Sequence, residues 1–80
     1  SLFPNPFDSD INLSIHLSKS TTVILELYDL QGKQIENTQK TGLIQGNNVI
    51  NYQPNVISQG VYLLRIITND EVFVRRLVKN

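Results

Sequence analysis

The chain has 80 residues, 40% of them hydrophobic, with seven basic side chains balanced by seven acidic ones and no cysteine. That bounds it to one small domain, burying roughly 60% of the surface its unfolded form exposes, with no overall charge to attract nucleic acid or anionic lipid. The lack of cysteine excludes a disulfide staple, a thiolate ligand and a thiol nucleophile, while leaving an extracellular home open.

Methionine is absent, even at position 1. The chain therefore reads as a piece of a longer protein or as a processed product. It carries no signal peptide and no apolar run long enough to span a membrane.

Pro4-Asn5-Pro6-Phe7 comes first. Two prolines fix the backbone and withhold amide donors, which predicts a stiff, extended entry segment. Residues 1–9 are read as this linker and entry, with Phe3 and Phe7 pinning it, and residues 10–80 as a single β-sandwich domain. Ile11, Leu13, Ile15 and Leu17 alternate with polar residues, the pattern of a half-buried strand. Lys19-Ser20 turns the chain. Thr21 to Leu30 is rich in β-branched and aromatic residues, with Val23, Leu25 and Leu27 on one face and Ile24, Glu26 and Tyr28 on the other.

Asp29-Leu30-Gln31-Gly32 reads as a hairpin turn, with Asp29 bonding the backbone two residues on and Gly32 in the left-handed conformation. Lys33 to Thr38 returns as a short polar strand anchored by Ile35. Gly42 to Gln45 is a weak strand, and Gly46-Asn47-Asn48 is turn chemistry. Val49, Ile50 and Tyr52 form an extended segment. Pro54 to Ser58 is a connection that includes a helical turn. Val61 to Ile67, nearly all apolar, is a central strand. Asn69-Asp70 turns it into a last strand, Glu71 to Val78. That strand has two possible registers: Val72, Val74 and Val78 inward with Arg76 snorkelling out, or Phe73 and Leu77 inward. The valines are the expectation.

About seven short strands with frequent turns and no helical periodicity predict an all-β fold, an immunoglobulin-like antiparallel β-sandwich. Ser58-x-Gly60-x-Tyr62 at the entry to the central strand resembles a tyrosine corner, in which the hydroxyl bonds an upstream backbone group. A plain core tyrosine fits equally well. Leu64 then falls where an antibody domain places its second disulfide cysteine.

Catalytic chemistry is missing from this pattern. His16, the only histidine, points outward by alternation, and without cysteine it makes no zinc site. No Ser-His-Asp or Cys-His set assembles. Asp8-Ser9-Asp10 offers oxygen ligands to calcium but lacks the glycine and distant glutamate of a calcium loop. Asn12-Leu13-Ser14 matches a glycosylation sequon too short to be specific. The chain is not expected to be an enzyme, nor to need a cofactor, a metal or membrane insertion.

Pro4-Asn5-Pro6, Leu27 to Lys33, Ser58 to Ile66 and Arg75-Arg76-Leu77-Val78-Lys79 occur in this order. Together they resemble the C-terminal sorting domain of the type IX (Por) secretion system in the Bacteroidetes, over essentially the whole chain. The resemblance implies a sandwich at the end of an exported cargo. It would pass through the periplasm and the outer-membrane translocon to the cell surface or beyond, where a sortase-like peptidase commonly removes the sorting domain. The residues that match are Pro4, Asn5, Pro6, Gly32, Lys33, Gly60, Tyr62, Arg75, Arg76, Val78 and Lys79. Arginines at 75 and 76 stand where lysines are more usual, which keeps charge but changes hydrogen-bond geometry.

If the last strand lies at an edge, a partner can extend it, with its cations steering the approach. The same cations also serve as guards against aggregation. Gly32-Lys33 reads as turn chemistry, and Gly60 and Tyr62 as fold determinants. The competing function is an immunoglobulin- or fibronectin-like accessory or spacer module that binds glycan or protein, with Tyr28 and Tyr52 as a sugar platform if exposed and adjacent.

Overall fold

The computed structural model describes residues 2–55 and 58–80. Seven strands run in chain order: β1 Leu2–Phe3, β2 Ile11–Leu17, β3 Thr21–Tyr28, β4 Gln34–Leu43, β5 Gly46–Tyr52, β6 Gly60–Ile67 and β7 Val72–Lys79. They form two antiparallel sheets, a smaller one ordered β1-β2-β5 and a larger one ordered β4-β3-β6-β7. The described residues contain no helix. This is the expected immunoglobulin-like sandwich.

Period-two alternation places the core. Ile11, Leu13 and Leu17 from β2, Ile50 and Tyr52 from β5, and Val23, Leu25 and Leu27 from β3 are buried. Tyr62, Leu64 and Ile66 from β6 and Leu77 from β7 close the other side. Leu64 is fully buried, with Leu27 beside it on β3. The Tyr62 hydroxyl donates to the Ser58 carbonyl at 2.8 Å, so the tyrosine corner is real. Asp29 also behaves as expected: its Oδ1 accepts the Gln31 and Lys33 amides at 2.9 Å, and Gly32 has φ +86°.

Several expectations need correction. The polar strand after Lys33 and the weak strand at Gly42 are one ten-residue strand, β4. Gly42 sits within it at φ +72°, so the chain bends there without leaving the ladder. Residues 4–6 bend rather than extend, and the Phe3–Pro4 and Asn5–Pro6 peptide bonds are cis. Leu2–Phe3 pairs with β2 and Phe7 is buried in the core. The helical turn expected over Pro54–Ser58 falls on residues 56 and 57, outside the described residues.

The register of β7 is the reverse of the expected one. Leu77 is fully buried and Phe73 packs against the core, whereas Val72 and Val74 are about half exposed, at 52% and 53%. The reason lies in the pairing. Tyr62, Leu64 and Ile66 face the core, and residues directly opposite share a face. Their partners are Leu77, Arg75 and Phe73, so the two larger apolar side chains fill the interior.

A bond unforeseen from the sequence joins the sheets. Tyr52, buried on β5, donates its hydroxyl proton to Glu36 Oε1 on β4, and the same oxygen accepts the Asn55 amide at 3.1 Å. Burial first, then the Glu36 carboxylate, raise the Tyr52 phenol far above its ordinary 10.0. The folded chain thus keeps a proton that the unfolded chain releases near that value. Its contribution is complete below pH ~10 and is lost as pH rises from there toward the raised folded pKa. Tyr52→Phe is expected to cost about 1.5–3 kcal/mol at neutral pH, the range for a hydrogen bond to a charged group. Urea midpoints read this. The same variant should lose less stability than wild type between neutral pH and pH ~11.

Candidate functional site

β7 is an outer strand of the larger sheet, paired along its whole length with β6. Its side chains alternate. Phe73, Arg75, Leu77 and Lys79 share the inner face, opposite Ile66, Leu64, Tyr62 and Gly60. Val72, Val74, Arg76 and Val78 lie on the outer face, opposite Ile67, Arg65, Leu63 and Val61. The two adjacent arginines therefore point to opposite sides of the sheet.

Arg75 is exposed although its strand position points inward, and its guanidinium carbon sits 5.4 Å from the centre of the Phe73 ring. One of its nitrogens donates to the Val74 carbonyl at 3.0 Å. Lys79 Nζ lies 5.9 Å from the Phe7 ring centre. Placing a cation on the inward row of an edge strand blocks close docking of another sheet. Among the described residues the salt bridge formed is Arg65–Glu26 at 3.1 Å. Among the described residues Arg75 and Arg76 have no carboxylate partner, while Lys79 Nζ donates to the Asn80 main-chain oxygen at 3.0 Å.

The free edge of β7 is not uniformly open. Asn5 Nδ2 donates to the Arg76 carbonyl at 2.9 Å, and the Val78 amide donates to Asn5 Oδ1 at 2.9 Å. The Phe7 amide donates to the Val78 carbonyl, and the Asn80 amide donates to the Phe7 carbonyl, both at 2.9 Å. Asn80 Nδ2 also donates to Asp8 Oδ1 at 3.1 Å. A carboxamide carries a donor and an acceptor as a peptide group does. Asn5 thus stands in for one peptide unit of a neighbouring strand, and Phe7 supplies the next. Among the described residues, nothing pairs with the same edge at Val72. At Val74 the carbonyl accepts from the Arg75 guanidinium.

The structure brings the motif residues to one end of the larger sheet. Pro4-Asn5-Pro6 lies against Arg76 to Lys79. Gly60 faces Lys79 and Tyr62 faces Leu77. Tyr28, Leu63 and Arg76 align across three strands, so the Gly32-Lys33 turn that follows Tyr28 lies at this end too, toward the β3–β4 side. Lys33 is exposed and its amide closes the Asp29 turn. Val78 is half-buried. Phe7 pins the segment as expected, buried in the core, whereas Phe3 is about half exposed, at 52%. The role of Asn5 as a backbone mimic was missed by sequence reasoning, hinted at only by an Asn fixed between two prolines.

His16 is exposed, its Nδ1 3.0 Å from Asn47 Oδ1. Asp10 accepts from Asn51 and Ser9, and no metal-ready cluster of three occurs among the described residues.

The fold and this edge define a small immunoglobulin-like sandwich whose C-terminal strand is clasped by its own N-terminal segment. The chain belongs to the secretion system C-terminal sorting domain family, whose sequence model matches residues 1–80. No curated protein and no solved structure matches it. Membership makes the chain a C-terminal sorting signal for type IX secretion, implying an N-terminal cargo and export to the cell surface or the extracellular space. The family is not one of enzymes.

Asn5→Leu keeps the size of the side chain and removes both of its hydrogen bonds. At about 1 kcal/mol per net bond, the loss is expected to be about 2 kcal/mol. The Val78 amide, protected by Asn5 Oδ1 alone, should exchange at least as fast as the rest of the edge. Amide exchange followed by NMR checks this.

Proposed function

We propose that the C-terminal half of the domain, with β7 at its edge, is the surface that the type IX outer-membrane translocon reads. Arg75, Arg76 and Lys79 would supply steering charge. Val72 and the amides of Val74 and Arg76 would supply backbone groups for a partner strand. The observation that supports this reading most is the pair of exposed arginines, without a carboxylate partner among the described residues, beside a half-open strand edge. Cations on an edge strand speed encounter with an acidic surface while keeping copies of the same edge apart.

In this reading Gly32, Gly60 and Tyr62 shape the recognised fold, and Pro4-Asn5-Pro6 holds β7 in place. The sortase-like surface peptidase would then cut upstream of the clasp, freeing the cargo from the sorting domain. The accessory-module reading has less support, because Tyr52 is only 2% exposed and makes no sugar platform with Tyr28.

A periplasm-targeted fluorescent reporter fused ahead of residues 1–80, with the native upstream residues, tests this in a type IX-competent strain. The reporter is expected outside the cell with the wild-type domain. With Arg75→Glu and Arg76→Glu together it should stay in the periplasm, folded and intact, since both side chains are exposed. Secretion of the doubly reversed variant at the wild-type level would contradict the steering role. Retention of the wild-type fusion would contradict the sorting function itself.

A further inference from the structure

The side of the sandwich between β2 and β7 is sealed over only half its length. Residues 4–7 cross from β1 to the C-terminal half of β7 and close that half. The other half is a groove of about 320 Å³ between the sheets, floored by Leu2, Leu13 and Ile15 on one side and Ile66 and Phe73 on the other. Glu71 and Arg75 stand at its rim. The Ser18 hydroxyl donates to Asp70 Oδ2 across the end of the sandwich where the β6–β7 turn lies, which sets the limit of the groove.

Two features point to what fills it. Among the described residues β1 pairs with β2 at Leu2–Leu13 and Phe3–Asn12, while β2 continues to Leu17. Among the described residues, Ile15 to Leu17 have partners on the β5 side alone. In the inward row of β2, Ile11, Leu13 and Leu17 are buried, but Ile15 is only partly covered. Leu2, facing Leu13, packs against the core. In an antiparallel ladder, two residues further upstream from Leu2 is two residues further along β2, on the same face. That position falls opposite Ile15, over the groove.

We infer that the groove and the edge of β2 from Ile15 to Leu17 are the seat of the parent chain's own segment immediately upstream of residue 1. That segment continues β1 along β2 toward Leu17. The proposal rests on the sorting-domain reading, which places a cargo before this domain. It predicts an apolar, preferably β-branched residue two positions before Leu2, with its side chain between Ile15 and Phe73. The segment is tethered at Leu2, so it docks at the high effective concentration of a short linker and needs no bimolecular encounter. A second copy of the chain or a strand of another protein would have to displace it. The consequence is a cargo linker that leaves the domain as an ordered strand, on the side of the sandwich that also carries the β7 edge.

Cysteine crosslinking in the full parent protein tests this, since residues 1–80 contribute no cysteine of their own. One variant pairs Ile15→Cys with a cysteine two positions before Leu2, and a control moves the upstream cysteine to three positions before Leu2. The expected result is an intrachain disulfide under mild oxidation in most molecules of the first variant and in few of the control, with the bridge mapped by mass spectrometry. Equal crosslinking of the two would overturn the proposal, as would no crosslinking. A bridge between chains would overturn it in favour of a second copy. Secretion of the same protein without added cysteines is scored separately. Normal secretion with no intrachain bridge would remove this inference and leave the sorting function standing.

Discussion

Everything about this domain turns on how the last strand is held. β7 has one sheet partner, β6, and an edge strand presents a row of unpaired backbone groups that invites other strands. The chain answers with its own beginning. Asn5 and Phe7 make four hydrogen bonds to Arg76, Val78 and Asn80, and the Phe7 ring enters the core. The N-terminal and C-terminal segments, more than seventy residues apart, thereby become one structural unit. Because the clasp covers only the C-terminal half of the edge, it also determines which half remains available.

The same clasp explains the grouping of the motif residues. β6 enters at Gly60, where the tyrosine corner fixes the strand, and β7 leaves alongside it at Lys79. Tyr62 and Leu77 face one another, Leu27 and Leu64 face one another, and all four are buried. A core this small offers little redundancy: total stability for 80 residues is expected at about 4–12 kcal/mol. Loss of one of these contacts is a large share of that. Under the proposed function, residues shared by family motif and core would therefore act mainly through the fold, and the basic side chains at its surface.

Most of the architecture was legible because β2, β3 and β6 state their own faces. Alternation in β2, the Val23-Leu25-Leu27 row in β3 and the near-continuous apolarity of β6 leave few alternatives. β7 was not legible because both of its faces carry one arginine and some apolar residues. Only the cross-strand partners decide between Val74 and Leu77, and no local pattern contains them. β4 was divided in two because glycine at position 42 reads as a break, although a bend at positive φ fits inside the strand. At the site, the cations and the Pro-Asn-Pro segment were visible in the sequence. Their contact was not, since a side chain imitating a strand more than seventy residues away leaves no periodic trace.

Under the proposed function the sorting signal is a folded surface rather than a linear tag. Leu64→Asp tests this most directly. It buries a charge at the centre of the core and leaves every residue of β7 and of the Pro4–Phe7 segment unchanged. An unpaired carboxylate there is far too costly for a domain of this size to stay folded. Export of the otherwise intact reporter fusion is the measurement. Loss of export is expected; export at the wild-type level from an unfolded Leu64→Asp domain would rule out a folded signal.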